Sequence, residues 1–199
     1  MITSTPNDFI DKAGDRIQLP LQFDASEMLE DLKIFKDANF VYYDVVPLRA
    51  PAHLVDSTLP FPPPAENYAD GTWTDWMDTP TLKKCPSLIK VIDTFKEHAT
   101  VNLVRLLRLA PNSVVEEHVD PTLGIHIEES MVRLTIPIQT NDQVEFYLNN
   151  EIVPMKPGEC WYLKLTDPHK VINNGPTERV NLTIDVIPNA WVRSMIFGN

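Results

Sequence analysis

Cysteine, glycine and basic residues are all scarce in this chain. Its 199 residues include two cysteines, Cys85 and Cys160, which build no disulfide framework. Cys160 stands beside Trp161 in an expected strand and reads as a buried core thiol. Six glycines against 18 prolines mean few flexible hinges and many stiffened loops. Basic residues number 17 and acidic ones 28, for a net charge of −11. That argues against a nucleic-acid partner, because phosphate binding wants a basic face. Acidity of this size is commonly a matter of solubility. No apolar run approaches membrane-span length, and the N-terminus lacks the apolar core of a signal peptide. The expectation is no nucleic acid, no membrane and a cytoplasmic location. No repeat or low-complexity tract occurs, and no feature sets an oligomeric state. A hydrophobic share of 43% suits one domain over residues 1–199 with a core of its own.

Taken in order, Arg16 to Phe23 alternates as a strand. Asp24 or Ser26 caps a helix from about Glu27 to Lys36, with Met28, Leu29, Leu32 and Phe35 on one face. Phe40 to Leu48 reads as a second strand. From Ala50 to Pro80 the prolines at 51, 60, 62, 63 and 64 break regular structure. A loop of that length is usually functional or disordered. Its aromatics, Tyr68, Trp73 and Trp76, favour an ordered loop that covers something or, equally, an aromatic-anchored surface loop. Ser87 is expected to cap a helix from Leu88 to about His98, with Leu88, Val91, Ile92 and Phe95 as a core stripe. Strands follow at 101–109, 132–139, 144–148, 151–155, 160–165 and 180–186, with turns at Asn149-Asn150 and Pro157-Gly158. This spacing predicts a mainly β fold, a double-stranded β-helix or cupin-like jelly roll, with two or more helices packed outside the sheet. Residues 1–100 supply the N-terminal strands, helices and loop, and about 101–188 the core. Two strands alternate cleanly. Val132, Leu134, Ile136 and Ile138 oppose Arg133, Thr135, Pro137 and Gln139; Val180, Leu182, Ile184 and Val186 oppose Arg179, Asn181, Thr183 and Asp185. Both polar faces carry an arginine, which suits a wet pocket inside a barrel better than open solvent.

One stretch carries chemistry. Glu117-His118-Val119-Asp120-Pro121 is answered fifty residues on by His169 and then Arg179. Two imidazoles and a carboxylate form the facial ligand set of non-haem Fe(II) oxygenases, with the opposite face of the metal open. On an extended strand, residues i and i+2 point the same way, so His118 and Asp120 can reach one ion. His169 must come from a strand folded back beside the first. A three-residue loop Asn173-Asn174-Gly175, with Gly175 in the left-handed conformation, would make a hairpin that pairs His169 with Arg179 on one face. Arg179 could then grip a carboxylate with its fork of donors. His53 and His98 have no partner at metal-ligand spacing and read as ordinary histidines.

Five motifs share a resemblance. Arg105-Leu106-Leu107-Arg108-Leu109-Ala110-Pro111, Glu117 to Pro121, Val132-Arg133-Leu134-Thr135-Ile136-Pro137, Pro157-Gly158-Glu159-Cys160-Trp161-Tyr162, and His169…Asn173-x-Gly175-Pro176-Thr177-x-Arg179 resemble the aspartyl/asparaginyl β-hydroxylase-like family of Fe(II)/2-oxoglutarate dioxygenases. The resemblance covers under half of the chain. It implies Fe(II) on His118, Asp120 and His169, 2-oxoglutarate as cosubstrate with its far carboxylate on Arg179, and O2 as oxidant. Arg133 would bind the near end of 2-oxoglutarate or a substrate carboxylate, or else form a structural ion pair. Trp161 and His126 are candidates for the substrate side. The animal protein-hydroxylating members lack the carboxylate ligand, and this chain has Asp120, which leans toward the bacterial branch. Retention of Asp120 also favours hydroxylation over halogenation. The implied substrate is an amino acid or amino-acid-like small molecule of the Asp, Asn or Pro type; the N-terminal part shows no peptide-binding repeat. An Asp or Asn side chain in a peptide, or a cupin-like binding protein without 2-oxoglutarate, are the alternatives.

Overall fold

The computed structural model describes residues 14–35, 40–59, 75–126 and 130–198. The strands are β1 (Arg16–Gln22), β2 (Tyr43–Pro51), β3 (Trp76–Asp78), β4 (Val101–Leu109), β5 (Ser113–His118) and β6 (Val132–Gln139), then β7 (Val144–Leu148), β8 (Glu151–Ile152), β9 (Glu159–Leu163), β10 (His169–Asn173) and β11 (Arg179–Val186). The α-helices are α1 (Ala25–Asp31), α2 (Ala52–Val55), α3 (Pro86–Lys96) and α4 (Ala190–Phe197). Seven strands form one sheet in the order β1-β9-β6-β11-β4-β2-β3, and four form another in the order β5-β10-β7-β8. Every pairing between named strands is antiparallel. This is the expected jelly roll. No helix among the described residues is long and apolar enough to cross a membrane.

The period-2 patterns decide which way the large sheet faces. Val132, Leu134, Ile136 and Ile138 of β6 and Val180, Leu182, Ile184 and Val186 of β11 join one buried cluster with Met28 of α1, Leu88, Ile92 and Phe95 of α3, and Val192 and Ile196 of α4. The apolar face therefore packs under three helices, and the polar face turns inward toward the small sheet. A second cluster, including Leu109, Phe146, Leu148, Leu163 and Val171, fills the space between the sheets.

Register sets out the inner face in rows. Tyr43, Leu109 and Arg179 lie side by side across β2, β4 and β11. The next row is Val45, Leu107, Asn181 and Pro137, and the next Pro47, Arg105, Thr183 and Thr135. Asp185 then faces Arg133. Residues paired directly across strands share a face, so the arginines and aspartate of three strands converge on one surface. On the small sheet, His169 pairs with His118 on one side and Leu148 on the other, and Val171 with Val115 and Phe146.

Several local expectations are corrected. No hairpin joins β10 to β11: they lie in different sheets, and residues 174–178 cross between them. Gly175 does not take positive φ, the positive-φ glycines described being Gly158 and Gly198. It is needed for close approach instead, since a Cβ there would meet Asn141 Oδ1 at 1.9 Å. The buried Asn173 side chain builds the crossing. Its Nδ2 donates to the carbonyls of Ala110 (3.0 Å) and Thr177 (2.9 Å), and its Oδ1 accepts from Gly175 N at 3.1 Å.

Asp24 caps α1 as expected, accepting from Ser26 N and Glu27 N. The helix is shorter than expected and gives way to a 3-10 turn, Leu32–Phe35; Lys36 lies outside the described residues. Strand β2 runs on to Pro51, absorbing Pro47 at a register shift between Pro47 and Arg49, as proline in a strand requires. The segment 50–80 is more regular at its ends than expected, with α2 and β3, while Tyr68 and Trp73 lie outside the described residues. The strand expected at 151–155 reduces to Glu151–Ile152. The Asn149-Asn150 turn is present, with φ of 52° and 63°, the left-handed pair that a two-residue hairpin wants. Helix α4 was not expected; Asn189 after Pro188 was its signal, and the Asn189 side chain accepts from Val192 N.

Ser87 does not cap the central helix. It begins at Pro86 with Cys85 at the N-cap position and no side-chain cap there. Asp31, from the end of α1, reaches across instead, and its Oδ2 accepts from Leu88 N at 2.8 Å. Asp31 is itself buried. Asp31→Ala should cost about 1–2 kcal/mol, in the upper range for a lost N-cap. At roughly 2–4 °C per kcal/mol that is a visible fall in the thermal midpoint, with Asp31→Asn falling less. An unchanged midpoint in the alanine variant would remove the cap from this account.

Candidate metal centre

The pairing of β5 with β10 brings His118 and His169 together, with ring centroids 4.3 Å apart. Asp120 lies two residues past His118, just beyond the end of β5, and its backbone N–H donates to Leu165 O at 2.8 Å. One ligand atom from each of His118, Asp120 and His169 lies within 4.8 Å of the others. His118 is exposed, Asp120 half-buried and His169 buried. Each imidazole has its Nδ1 against the carbonyl two residues earlier, His118 on Glu116 O (2.8 Å) and His169 on Asp167 O (3.0 Å). A carbonyl accepts, so Nδ1 carries the proton and Nε2 offers its lone pair. This is the outer-shell arrangement that readies a histidine to ligate. The donor set fits a divalent metal of the iron type, with three protein donors and open positions beside them.

The sites expected at His118, Asp120, His169, Arg133 and Arg179 meet around one cavity of about 540 Å³, including its mouth. Arg179 reaches it from the opposite sheet rather than from a hairpin partner. Phe146 stands between the two ends. Its ring is 6.1 Å from that of His169 and stacked on it, and the Arg179 Cζ lies 5.7 Å from the ring centre. Arg179 is 6% exposed, and no carboxylate among the described residues forms an ion pair with it. With its amide turned to suit both neighbours, Asn181 accepts from Arg179 and donates to Val180 O at 3.2 Å. Burial pulls the Arg179 guanidinium down to about 10.

Arg133 is committed differently. Its Nε and Nη2 donate to Asp185 at 2.7 and 2.8 Å, and its Nη1 to Asp120 Oδ2 at 3.1 Å. Burial works against its charge, but Asp185 outweighs that and holds Arg133 above its ordinary value. Trp161 lies on the inner face beside Thr135, away from the cavity lining, and its indole N–H donates to Glu159 at 3.0 Å. His126 is exposed and also away from the lining.

Two residues were missed in the sequence. Tyr43 lines the cavity. Burial raises its hydroxyl above the ordinary value although Arg179, Arg105 and Arg133 act on it in the other sense. Arg105 is half-buried, 3.9 Å from Asp185, and its buried Nε has no partner among the described residues. Burial, with repulsion from Arg133, lowers it. It borders an adjoining apolar cleft lined by Pro47, Pro51, Leu54 and Met131. Register, invisible in the sequence, is what gathers these side chains; the inward alternation of their strands was the available signal. The other arginine of the same motif, Arg108, faces away and pairs with Asp44 and Glu178.

Burial lowers the His169 imidazole, with the Asp167 carbonyl contact acting against it. The unfolded chain takes up a proton at that histidine near pH 6.5, and folded His169 resists it until lower pH. Stability from this residue is therefore full above about 6.5 and declines as pH falls below it. Urea midpoints at pH 7.5 and 5.5 should show the loss, and His169→Ala should lack that component.

A jelly roll here carries a two-histidine, one-carboxylate group at one end of a cavity and a buried arginine at the other, donor types that suit a non-haem metal and a carboxylate ligand. A solved structure shares the fold: an oxidoreductase of the 2OG-Fe(II) oxygenase family from Burkholderia pseudomallei, at a TM-score of 0.52 and 12% identity, matched over 93% of this chain and 91% of its own. Residues 69–188 match the aspartyl/asparaginyl beta-hydroxylase family, and the chain belongs to it. Among curated proteins, the L-proline cis-4-hydroxylase of Rhizobium meliloti (strain 1021) is 27% identical over 118 residues, which is 59% of this chain and 41% of that protein. The chain thus spans about two fifths of the length of that relative.

Proposed function

We propose that this protein is a Fe(II)- and 2-oxoglutarate-dependent dioxygenase that hydroxylates an unactivated carbon of an amino acid or amino-acid-like molecule. The observation that carries this reading is the shared cavity. His118, Asp120 and His169 stand at one end of it, and Arg179, a buried cation without a protein carboxylate among the described residues, at the other. A buried charge left unpaired is costly, and a dicarboxylate ligand resolves the cost. His118, Asp120 and His169 would hold the iron, and Arg179, with Asn181 and Tyr43 beside it, the far carboxylate of 2-oxoglutarate. Iron, once bound with this cosubstrate and O2, supplies the oxidising chemistry. The protein positions the ligands, and the Phe146 wall and the inter-sheet core keep water out.

Charge points to the substrate. Among the described residues, Arg105, Arg133 and Arg179 stand with Asp120 and Asp185, leaving one positive charge in excess. A divalent metal and a dicarboxylate cancel each other, so the excess suits a substrate that brings a carboxylate. Arg105, which lines the apolar cleft and whose buried Nε has no partner among the described residues, is the group we assign to it. Hydroxylation of proline by the Rhizobium relative supports a small amino acid over a peptide side chain. Succinate formation with a panel of free amino acids tests this: one member should raise turnover well above the uncoupled rate. Response only to Asp- or Asn-containing peptides would move the substrate to proteins, and no succinate with any would sink the dioxygenase reading.

A further inference from the structure

We propose that Arg133 is a positioning residue: clamped by Asp185, it fixes the Asp120 carboxylate so that one oxygen is left for the metal. The inference rests on the metal-site reading above and assigns Arg133 away from ligand binding. The clamp is a product of register. Arg133 on β6 faces Asp185 on β11 directly, and the two-pronged contact of Nε and Nη2 with both Asp185 oxygens (2.7 and 2.8 Å) fixes the guanidinium plane. Asp185 is 1% exposed, so that carboxylate has no room to turn, and its two oxygens hold Arg133. The one nitrogen that faces the site, Nη1, donates to Asp120 Oδ2 at 3.1 Å. Asp120 sits past the end of its strand, where backbone pairing no longer dictates its side chain, and this bond supplies the missing constraint. With Oδ2 taken, Oδ1 remains for a metal.

Asp185 has a second effect. An isolated guanidinium beside a metal site would repel the cation. Paired two-pronged with Asp185, Arg133 presents a donor without a full net charge. Arg105, at 3.9 Å from Asp185, is the other cation that this carboxylate partly balances. Both members are therefore needed, and neither need touch the metal. Outer-shell partners of this kind are typically worth roughly 10–100-fold in metal affinity.

The test uses Co(II) alone, with no 2-oxoglutarate or substrate, on the full chain, reading affinity and the visible ligand-field spectrum. Arg133→Met should weaken Co(II) binding about 10–100-fold and change the band shape. Asp185→Asn should also weaken it, by freeing the charge of Arg133 to compete for Asp120. Arg133→Lys, which keeps a donor but not the fork, should recover part of the affinity. Because a lone buried charge can unfold a protein, the double variant Arg133→Met/Asp185→Leu removes both charges. It should stay folded, losing only what Arg105 loses with Asp185, while binding Co(II) as weakly as Arg133→Met. Wild-type affinity and spectrum in Arg133→Met and in the double variant would overturn the proposal; if 2-oxoglutarate added afterwards, at saturating metal, is then bound more weakly by these variants, Arg133 is a ligand-gripping residue instead. Failure of the intact protein to bind Co(II) would overturn it together with the metal-site reading, and so tells the two failures apart.

Discussion

Arg179→Met should weaken 2-oxoglutarate binding by orders of magnitude and raise the melting temperature of the apo protein. The two effects have one cause. Arg179 is buried, its guanidinium is pulled down to about 10 by burial, and no carboxylate among the described residues pairs with it. In the ligand-free state it is a desolvated charge held in reserve. Replacing buried charge by apolar atoms of similar size is often stabilising by roughly 1–4 kcal/mol. At about 2–4 °C per kcal/mol for a chain of this size, the apo variant should melt several degrees higher. Truncating one partner of a buried charge pair costs about 2–5 kcal/mol of binding, so 2-oxoglutarate affinity should fall by roughly 30-fold to several thousandfold. Intact protein with metal and 2-oxoglutarate at about 100 times its Kd should gain near 2.7 kcal/mol, and the variant at the same concentration no more than about 0.9 kcal/mol. A variant that is destabilised without ligand, or stabilised by it as fully as the intact protein, would mean that Arg179 is a structural cation and that the carboxylate sits elsewhere.

His169→Ala should lose metal binding outright. Its loss removes one of three donors, and the two that remain, an exposed histidine and a half-buried aspartate, cannot keep the facial geometry. The fall should exceed the roughly 10–100-fold that removal of an outer-shell partner costs. Isothermal titration with Co(II) or Mn(II) reads it. The fold should survive, since the neighbouring Val171 and Phe146 still pair across β10 and β7. Metal affinity within a few-fold of the intact protein would shift the centre away from His118, Asp120 and His169.

What the sequence shows and hides follows from the range of each interaction. The alternation of residues 132–139 and 179–186 is local. It announced a polar face turned inward, and the helices did cover the apolar face. The fold-back of His169 onto His118 was also legible, because two metal donors fifty residues apart can meet only if their strands pair. The neighbour of Arg179 was not. Asn173-Asn174-Gly175 has the local chemistry of a turn, but Asn173 spends its side chain on Ala110 and Thr177, and Gly175 makes room for Asn141. The contacts with Ala110 and Asn141 span more than thirty residues and turn a hairpin into a crossing between sheets. Ser87 fails for the same reason: a local cap was expected and a distant carboxylate, Asp31, supplies it. Phe146 and Tyr43 carry no motif, and the motif that holds Arg105 does not say which way it faces; register places all three.

The most direct test of the central claim is anaerobic addition of Fe(II) and 2-oxoglutarate, watching for the weak visible charge-transfer band of the chelate. The intact protein should show the band, His169→Ala should not, and Arg179→Met should need far more 2-oxoglutarate to show it. No band in the intact protein at saturating metal and 2-oxoglutarate would contradict the assignment and leave a jelly-roll protein whose histidines, aspartate and arginine serve another ligand.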